Sequence, residues 1–329
     1  MRLLVVGCGS IGKRHLGNFQ QLGVTHLGAV DPRPDRRQEV IERFGLRSLY
    51  GSIDEALRDG YEAALLGVPT RYHVEAAEKA VAAGMHVLIE KPISDRIDGV
   101  HELLEKVAKK GLCLMVGYTY RFWPPLLKVK ELIDNGIFGR IYSIQITFSE
   151  YLPDWHPWED YRSWFMAKKE LGGGAILDES HTLDFARWLF GEVDSIFCIN
   201  GQFSHLEITS DDLAEMIVSF RSGAVGNIHM DIYGRHYRKE MAIIGEKASG
   251  YWDFYANQVK VYHAEGKTWQ TWQFSCDRND MFLAEDRHFL DCIANESKPM
   301  VDGADGLKTL QVILAAVESS KAGRLVRLS

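Results

Sequence analysis

The chain has 329 residues, 46% of them apolar and 25% charged, with a formal charge of -7 and five cysteines. That length exceeds what one hydrophobic core usually organises, so two domains are expected. The acidic balance excludes a protein built to coat a phosphate backbone, and the scattered Cys8, Cys113, Cys198, Cys276 and Cys292 contain no CxxC pair that would suggest a zinc knuckle or a disulfide framework.

No apolar run approaches the ~20 residues that span a bilayer, and the start, Leu3-Leu4-Val5-Val6 after Arg2, lacks the pattern of a signal peptide. The expected setting is the cytoplasm, with neither nucleic acid nor membrane as a partner. His156, His205, His229 and His263 form no ligand spacing, so no metal is expected.

Along residues 1–120, short apolar runs alternate with amphipathic stretches, the pattern of βαβ units in a parallel sheet. Strands are expected at Arg2–Gly7, His26–Asp31, Ala63–Gly67, His86–Glu90 and Cys113–Tyr118. Helices are expected at Ile11–Leu22, Asp35–Phe44, Ile53–Asp59, Arg71–Ala83 and Ile97–Lys109, where apolar residues recur at three- and four-residue spacing, as in Val100, Leu103, Leu104 and Val107.

After Arg121 the texture changes. Pro124-Pro125 opens a helix to Asn135, and Ile144, Ile146 and Phe148 alternate with polar neighbours in a strand over Ile141–Glu150. Further runs at Val193–Asn200, Leu213–Phe220, Ala224–Tyr233, Glu240–Gly245 and Gln258–Tyr262 predict an open, mostly antiparallel sheet. Helices over Asp280–Asn295 and Ala304–Ser320 close the chain. The fold class is therefore α/β: a parallel-sheet domain over 1–120, then an α+β domain over 121–329 whose closing helices are free to pack back on the first.

Gly7-Cys8-Gly9-Ser10-Ile11-Gly12 lies between the first strand and the first helix. In a dinucleotide fingerprint the first glycine makes the turn, the second admits the pyrophosphate and the third packs helix on strand. Amides at Ser10 and Ile11 open the helix, where phosphate binds. Asp31, nineteen residues after Gly12, stands where an acid accepts ribose hydroxyls, which favours NAD. Arg33, Arg36 and Arg37 follow it, and arginine is how a 2′-phosphate is held, so NADP stays open as a second cofactor.

Glu90-Lys91-Pro92 sets an acid, an amine and a helix breaker at the end of a strand, where ligands of open α/β sheets bind. Farther on come Gly172-Gly173-Gly174 and Leu177-Asp178-Glu179-Ser180-His181-Thr182-Leu183-Asp184. With the fingerprint and Pro69-Thr70-Arg71-Tyr72-His73, these motifs in this order resemble the Gfo/Idh/MocA oxidoreductases, nearly end to end. The resemblance implies a Rossmann domain, a second domain whose open sheet often mediates homodimers or homotetramers, and reversible hydride transfer on sugars, cyclitols or nucleotide sugars. Lys91 matches the family's active-site lysine and His181 its histidine, with Asp178 near the accompanying acid. Many members space that pair one residue wider, so Asp184 stays open as the other candidate. Pro69, Thr70 and His73 match the loop over the nicotinamide half, with Glu90 beside it. Arg121, where the second domain starts, reads either as touching cofactor or substrate in the cleft or as a hinge ion pair.

Oxidising an alcohol needs a hydride acceptor and a base within hydrogen-bond reach of the hydroxyl. Histidine titrates near ~6.5 in water, and an ammonium buried beside a positive ring releases its proton more readily. Lys91 and His181 are both expected on the reacting hydroxyl. Tyr120 and the aromatic segment containing Trp155 and Arg162 read either as a substrate wall, with Arg162 forking onto an anion, or as a packing arm. Two rival functions remain: an NAD-dependent glycosidase working through transient oxidation and elimination, and a non-catalytic dinucleotide or sugar sensor.

Overall fold

The apolar runs of the first 120 residues become strands buried on both faces, which is why they read as continuous rather than alternating. The computed structural model describes residues 1–328 and separates into two units, Met1–Thr119 with Asn279–Leu310 and Tyr120–Arg278 with Gln311–Ser329. In the first, β1 (Arg2–Val6), α1 (Ser10–Gln21), β2 (His26–Val30), α2 (Pro34–Phe44), β3 (Ser48–Tyr50), α3 (Ile53–Ala56), β4 (Ala63–Leu66), α4 (His73–Ala82), β5 (His86–Glu90), α5 (Val100–Lys110) and β6 (Leu114–Gly117) alternate along the chain. Local signals set their ends: Pro34 sits in the first turn of α2, where its missing N–H costs nothing, and Gly45 closes it in the left-handed region with φ 67°.

The six strands are all parallel in the order β3-β2-β1-β4-β5-β6. Strand order reverses between β1 and β4, and the crevice beyond the carboxyl ends of such a pair is where ligands bind. Gly7 and Gly67, directly after these two strands, meet there. Gly7 has φ 97°, and a side chain on it would come within 2.5 Å of the Gly67 carbonyl oxygen. At Gly12 a Cβ would lie 1.8 Å from the Gly7 carbonyl oxygen, whereas at Gly9 the nearest atom is Arg36 Nη1 at 3.9 Å.

The second unit holds α6 (Pro124–Asp134), β7 (Ile141–Tyr151), α7 (Ala175–Asp178), α8 (His181–Phe190), β8 (Val193–Gly201), β9 (Leu213–Phe220), β10 (Val225–Asp231), β11 (Tyr233–Gly245), β12 (Ala248–Asp253), β13 (Gln258–His263), β14 (Thr268–Gln273) and β15 (Val326–Arg327). α9 (Arg278–Ala294) and α10 (Gly303–Ala322) complete the chain. The nine strands run β14-β13-β12-β11-β7-β10-β9-β8-β15, antiparallel except for β10 against β7. One face buries Ile144, Ile146, Phe148, Met216, Val218, Ile228, Met230, Met241, Ile243 and Trp252. On the other, Phe197, Ile217, Val225, Ile244, Tyr251 and Trp269 are exposed, and the register places them on one side.

β3, β12, β14, β15, α7 and α8 were not among the expected elements. β3 is a three-residue edge strand, and β14, Thr-Trp-Gln-Thr-Trp-Gln, is an outer strand with little burial on either face and so no apolar alternation to detect. β11 starts earlier than expected because Tyr233–Arg238 is carried through an irregular register against β7.

The glycine geometry predicts different fates for two alanine substitutions. Gly12→Ala should lose about 3 kcal/mol of stability, the upper end for an inserted methyl group, since backbone must move to admit it, while Gly9→Ala should stay within about 1 kcal/mol. Urea unfolding of the two variants against the wild type checks both.

Candidate active site

At the switch point, the first and third fingerprint glycines are required by backbone contact, while the second leaves open space. Gly9 is the N-cap of α1 and provides no side-chain cap, so the amides of Ser10, Ile11 and Gly12 have no partner within the helix. That is the arrangement a phosphate group takes up. Asp31 is buried at the end of β2. Its Oδ2 accepts the Cys8 amide at 2.8 Å and its Oδ1 the Arg33 amide at 2.9 Å, so it fastens the glycine loop to the sheet. Arg36 Nη1 lies 3.5 Å from the same carboxylate and Arg37 donates to the Asp31 carbonyl at 2.5 Å. Arg33, placed with the cofactor by the sequence, turns its guanidinium to Asp35.

The loop after β4, where Pro69, Thr70 and His73 were expected over the nicotinamide, is anchored by its own buried residues. Thr70 is buried at the start of a single 3-10 turn, Thr70–Tyr72, after Pro69. His73 is also buried, with Nδ1 2.8 Å from the Pro92 carbonyl oxygen and Nε2 2.9 Å from that of Val68. Carbonyl oxygens only accept and burial lowers the pKa of this ring, so the neutral imidazole donates through one nitrogen and lies against the other carbonyl, packing the loop after β4 on the turn after β5. Glu90 ends β5 almost fully buried; its Oε1 meets His15 Nε2 at 3.0 Å and its Oε2 accepts the Lys91 amide at 3.2 Å. Lys91 follows, half-buried, where the chain leaves the sheet.

In the second unit, Asp178 ends α7 and His181 begins α8, with Glu179 and Ser180 between. The three-residue spacing therefore spans a break between two helices and not one helical face. His181 packs against Tyr120 with ring centroids 4.9 Å apart. Tyr120, expected to line substrate, is instead 3% exposed among Phe148, Phe185, Trp252 and Phe254, and burial pushes its hydroxyl up to about 12. Arg121 is also buried. Its Nε and Nη2 donate to the two oxygens of Asp184 at 2.8 and 2.7 Å. That fork joins Arg121 to Asp184, the second candidate acid for His181.

The aromatic segment after β7 folds as four short 3-10 turns. Trp155 packs against a cluster of Leu152, Trp164, Ala167, Ala175, Leu206, Ile208 and Ile232. Arg162 donates from Nε to Asp160 at 2.9 Å and from Nη1 to Glu207 at 2.6 Å, so the fork expected for a substrate anion already holds two carboxylates.

Sequence reasoning missed the residues that brace these motifs. Asp211 accepts the Ile176 amide on Oδ2 at 2.9 Å, and a side chain on Gly174, at φ 122°, would come within 2.3 Å of its Oδ1. The triple glycine is thus fitted around this acid at the entry to α7. Lys239, buried, lies 3.1 Å from Glu150 and 3.6 Å from Glu179, over the Phe148 ring. A signal existed: Glu150 continues the inward parity of Ile144, Ile146 and Phe148, and Lys239 that of Ile243 and Met241.

Burial raises the Asp211 carboxyl to about 6, above its value in an unfolded chain. A group raised in this way contributes stability that is full below the unfolded value and is lost as pH rises through 6. Asp211→Asn should therefore gain on the wild type by roughly 2 kcal/mol between pH 4 and pH 8. Urea unfolding across that range checks it, and a pH-independent difference would contradict it.

Residues 1–118 match the sequence profile of the oxidoreductase family with an NAD-binding Rossmann fold, and residues 126–250 match that of the GFO/IDH/MocA C-terminal domain. Myo-inositol 2-dehydrogenase of Thermotoga maritima is 29% identical over 100% of this chain and 98% of its own. The scyllo-inositol 2-dehydrogenase (NAD(+)) of Bacillus subtilis is 28% identical over 100% and 96%. The WlbA dehydrogenase of Bordetella pertussis, solved with NADH and UDP-GlcNAcA, has a TM-score of 0.84 at 26% identity, covering 100% of this chain and 99% of that one. With both profiles matched in order behind the glycine loop and the Lys91 and His181 motifs, the protein belongs to the Gfo/Idh/MocA oxidoreductases, and its first unit is an NAD-binding Rossmann domain.

Proposed function

We propose that this protein interconverts a secondary alcohol and a ketone on a sugar, cyclitol or nucleotide sugar in the cytoplasm, with NAD as the preferred cofactor. The observation that carries the reading is Glu90-Lys91 at the carboxyl end of β5, in the sheet whose switch point bears the NAD loop. The inositol dehydrogenases among its relatives, and the nucleotide sugar bound by the WlbA dehydrogenase, indicate the substrate class. Gly9 and the amides of Ser10, Ile11 and Gly12 would hold the pyrophosphate, and Asp31 the adenosine ribose. A carboxylate at that position repels a 2′-phosphate.

Bound NAD supplies the hydride acceptor. Lys91 and His181 contact the reacting hydroxyl and take its proton, alone or shared, while Asp178 orients the imidazole. Tyr120 supports the face of His181 within hydrophobic surroundings and keeps the ring from turning. The aromatic arm with Trp155 shapes the substrate end. A panel of inositols, aldoses, amino sugars and nucleotide sugars, followed at the NADH absorbance with NAD and NADP in parallel, tests the reading; no reduction with any member, despite bound NAD, would refute it. Lys91→Ala and His181→Ala should each lower turnover by at least about a thousandfold, a loss of about 4 kcal/mol in the barrier, with NADH still bound in a fluorescence titration.

The exposed face of the nine-stranded sheet carries Phe197, Ile217, Val225, Ile244, Tyr251 and Trp269 on one side, and a contiguous apolar surface of this kind marks an interaction site. It forms the contact of a homodimer or homotetramer. Ile217→Asp with Trp269→Asp should shift sedimentation toward the monomer, whereas an unchanged assembly would remove this face from the interface.

A further inference from the structure

His15 stands three residues beyond the glycine loop, on the buried side of α1 with Leu16 and Phe19. It has no place in the chemistry above, yet it is fully buried and both ring nitrogens meet carboxylates: Nε2 lies 3.0 Å from Glu90 Oε1 and Nδ1 2.6 Å from Asp286 Oδ1. Ionised carboxylates only accept, so a ring that satisfies both is a doubly protonated imidazolium; burial also raises the Asp286 carboxyl, but the ring is held up far more and keeps the proton between them. Burial works against that charge, but Asp286 and then Glu90 outweigh it and hold the ring up at about 10. The brace extends outward. Asn18 donates to the second oxygen of Asp286 at 2.9 Å, Asn279 donates to Asn18 at 2.9 Å, and Arg14 donates to Asn279 at 3.2 Å. Phe19 and Phe282 flank the imidazole. The charged groups around it are therefore Glu90 from β5, Asp286 from α9 and, through Glu90, Lys91.

We propose that His15 is a positioning residue of the reaction: gripped between Glu90 and Asp286, it fixes the Glu90 carboxylate against the Lys91 amide and so sets where the lysine leaves the sheet. The same side chain joins the helix that begins at the cofactor loop to the strand that presents Lys91. The chain of contacts is His15 to Glu90 Oε1, and Glu90 Oε2 to Lys91 N at 3.2 Å. Without the cation, two buried carboxylates remain with one compensating charge fewer, and such a pair takes up a proton more readily. A protonated Glu90 is a poorer acceptor for the Lys91 amide, and the lysine drifts. The inference rests on Lys91 acting on the alcohol.

The test compares wild type, His15→Gln, Asp286→Asn, the double variant and Lys91→Ala, using the panel substrate that reduces NAD fastest. In His15→Gln, turnover should fall at least tenfold while the NADH dissociation constant stays within about threefold. Its turnover should also acquire a new pH limb between 6 and 8, absent from the wild type. Adding Asp286→Asn should remove that limb and recover most of the loss, because one of the opposed carboxylates is gone. Asp286→Asn alone keeps the Glu90 contact and should stay within about threefold of wild type, which keeps the proposal testable if His15→Gln does not fold; a tenfold loss there overturns it. In 15N-histidine spectra of the wild type, the His15 ring should remain doubly protonated from pH 6 to 9, and titration in that range overturns it. Wild-type turnover in His15→Gln, or a loss with no new limb that the double variant deepens, reduces His15 to helix packing. Retained turnover in Lys91→Ala overturns the reading of Lys91 and this inference with it; an inactive Lys91→Ala beside a fully active His15→Gln overturns the inference alone.

Discussion

Two loops that carry no side chains at their meeting point set the geometry of the first unit. Gly7 and Gly67 approach so closely that a single methyl group on Gly7 would strike the Gly67 carbonyl, and Gly12 seats α1 on the Gly7 carbonyl in the same way. Main-chain bonds reinforce this. The Gly7 amide donates to Val30 at 2.8 Å and the Gly67 amide to Val6 at 2.8 Å, so each loop is the continuation of a neighbouring strand pair. Because backbone fills the crevice floor, the free amides at the start of α1 face outward from a rigid base. Asp31 closes the arrangement by accepting the Cys8 amide. A cofactor loop built this way needs no induced ordering, and ordering is a main cost of binding by flexible loops.

Each unit also contains a buried brace of alternating charge. In the first it is Glu90, His15 and Asp286; in the second, Lys239 with Glu150 and Glu179, and Arg121 with Asp184. Such pairs are weak sources of net stability, because desolvation cancels most of the attraction, but losing one partner strands a charge. Their value here is geometric. A hydrophobic contact tolerates sliding by a few tenths of an ångström, whereas a two-pronged Arg121–Asp184 pair admits one arrangement. That pair holds α8, the helix His181 begins, to the segment carrying Tyr120, whose ring lies against the imidazole.

The sequence was most legible where local chemistry and periodicity agree. The glycine loop, Asp31 and the parallel strands could be read because glycine spacing and continuous apolar runs follow from backbone requirements alone. Less legible was the direction in which a polar side chain faces. His73, Arg121 and Arg162 belong to motifs that suggest ligand contact, yet the two His73 nitrogens meet backbone carbonyls and the two arginine forks meet carboxylates. Asp184, Glu207 and Pro92 are remote in sequence, and even the local partners, Asp160 and Val68, are chosen by turns whose geometry residue spacing does not show. His15, Glu150 and Lys239 were the opposite case, since their parity on apolar faces marks them as inward while their partners, on α9 or on other strands, are set only by tertiary packing.

The arm after β7 and the turn into His181 are one packed body, and this constrains how substrate choice can change. Gly173 has no room for a Cβ, which would lie 2.2 Å from the Phe165 carbonyl oxygen. Ser210 Oγ donates to the Met166 carbonyl at 2.7 Å, the Thr209 amide donates to the Ala167 carbonyl at 2.8 Å, and the next residue, Asp211, holds the Ile176 amide. Three consecutive residues thus tie the aromatic arm to the entry of α7. Replacements in exposed positions of the arm, such as Trp158 at 75% exposure, alter the surface and leave the strap intact. Replacements at Phe165, Met166 or Ala167 act on the strap, and through it on the backbone that delivers Asp178 and His181. A replacement that changes the arm without moving the backbone of Asp178 and His181 is therefore confined to its outer positions.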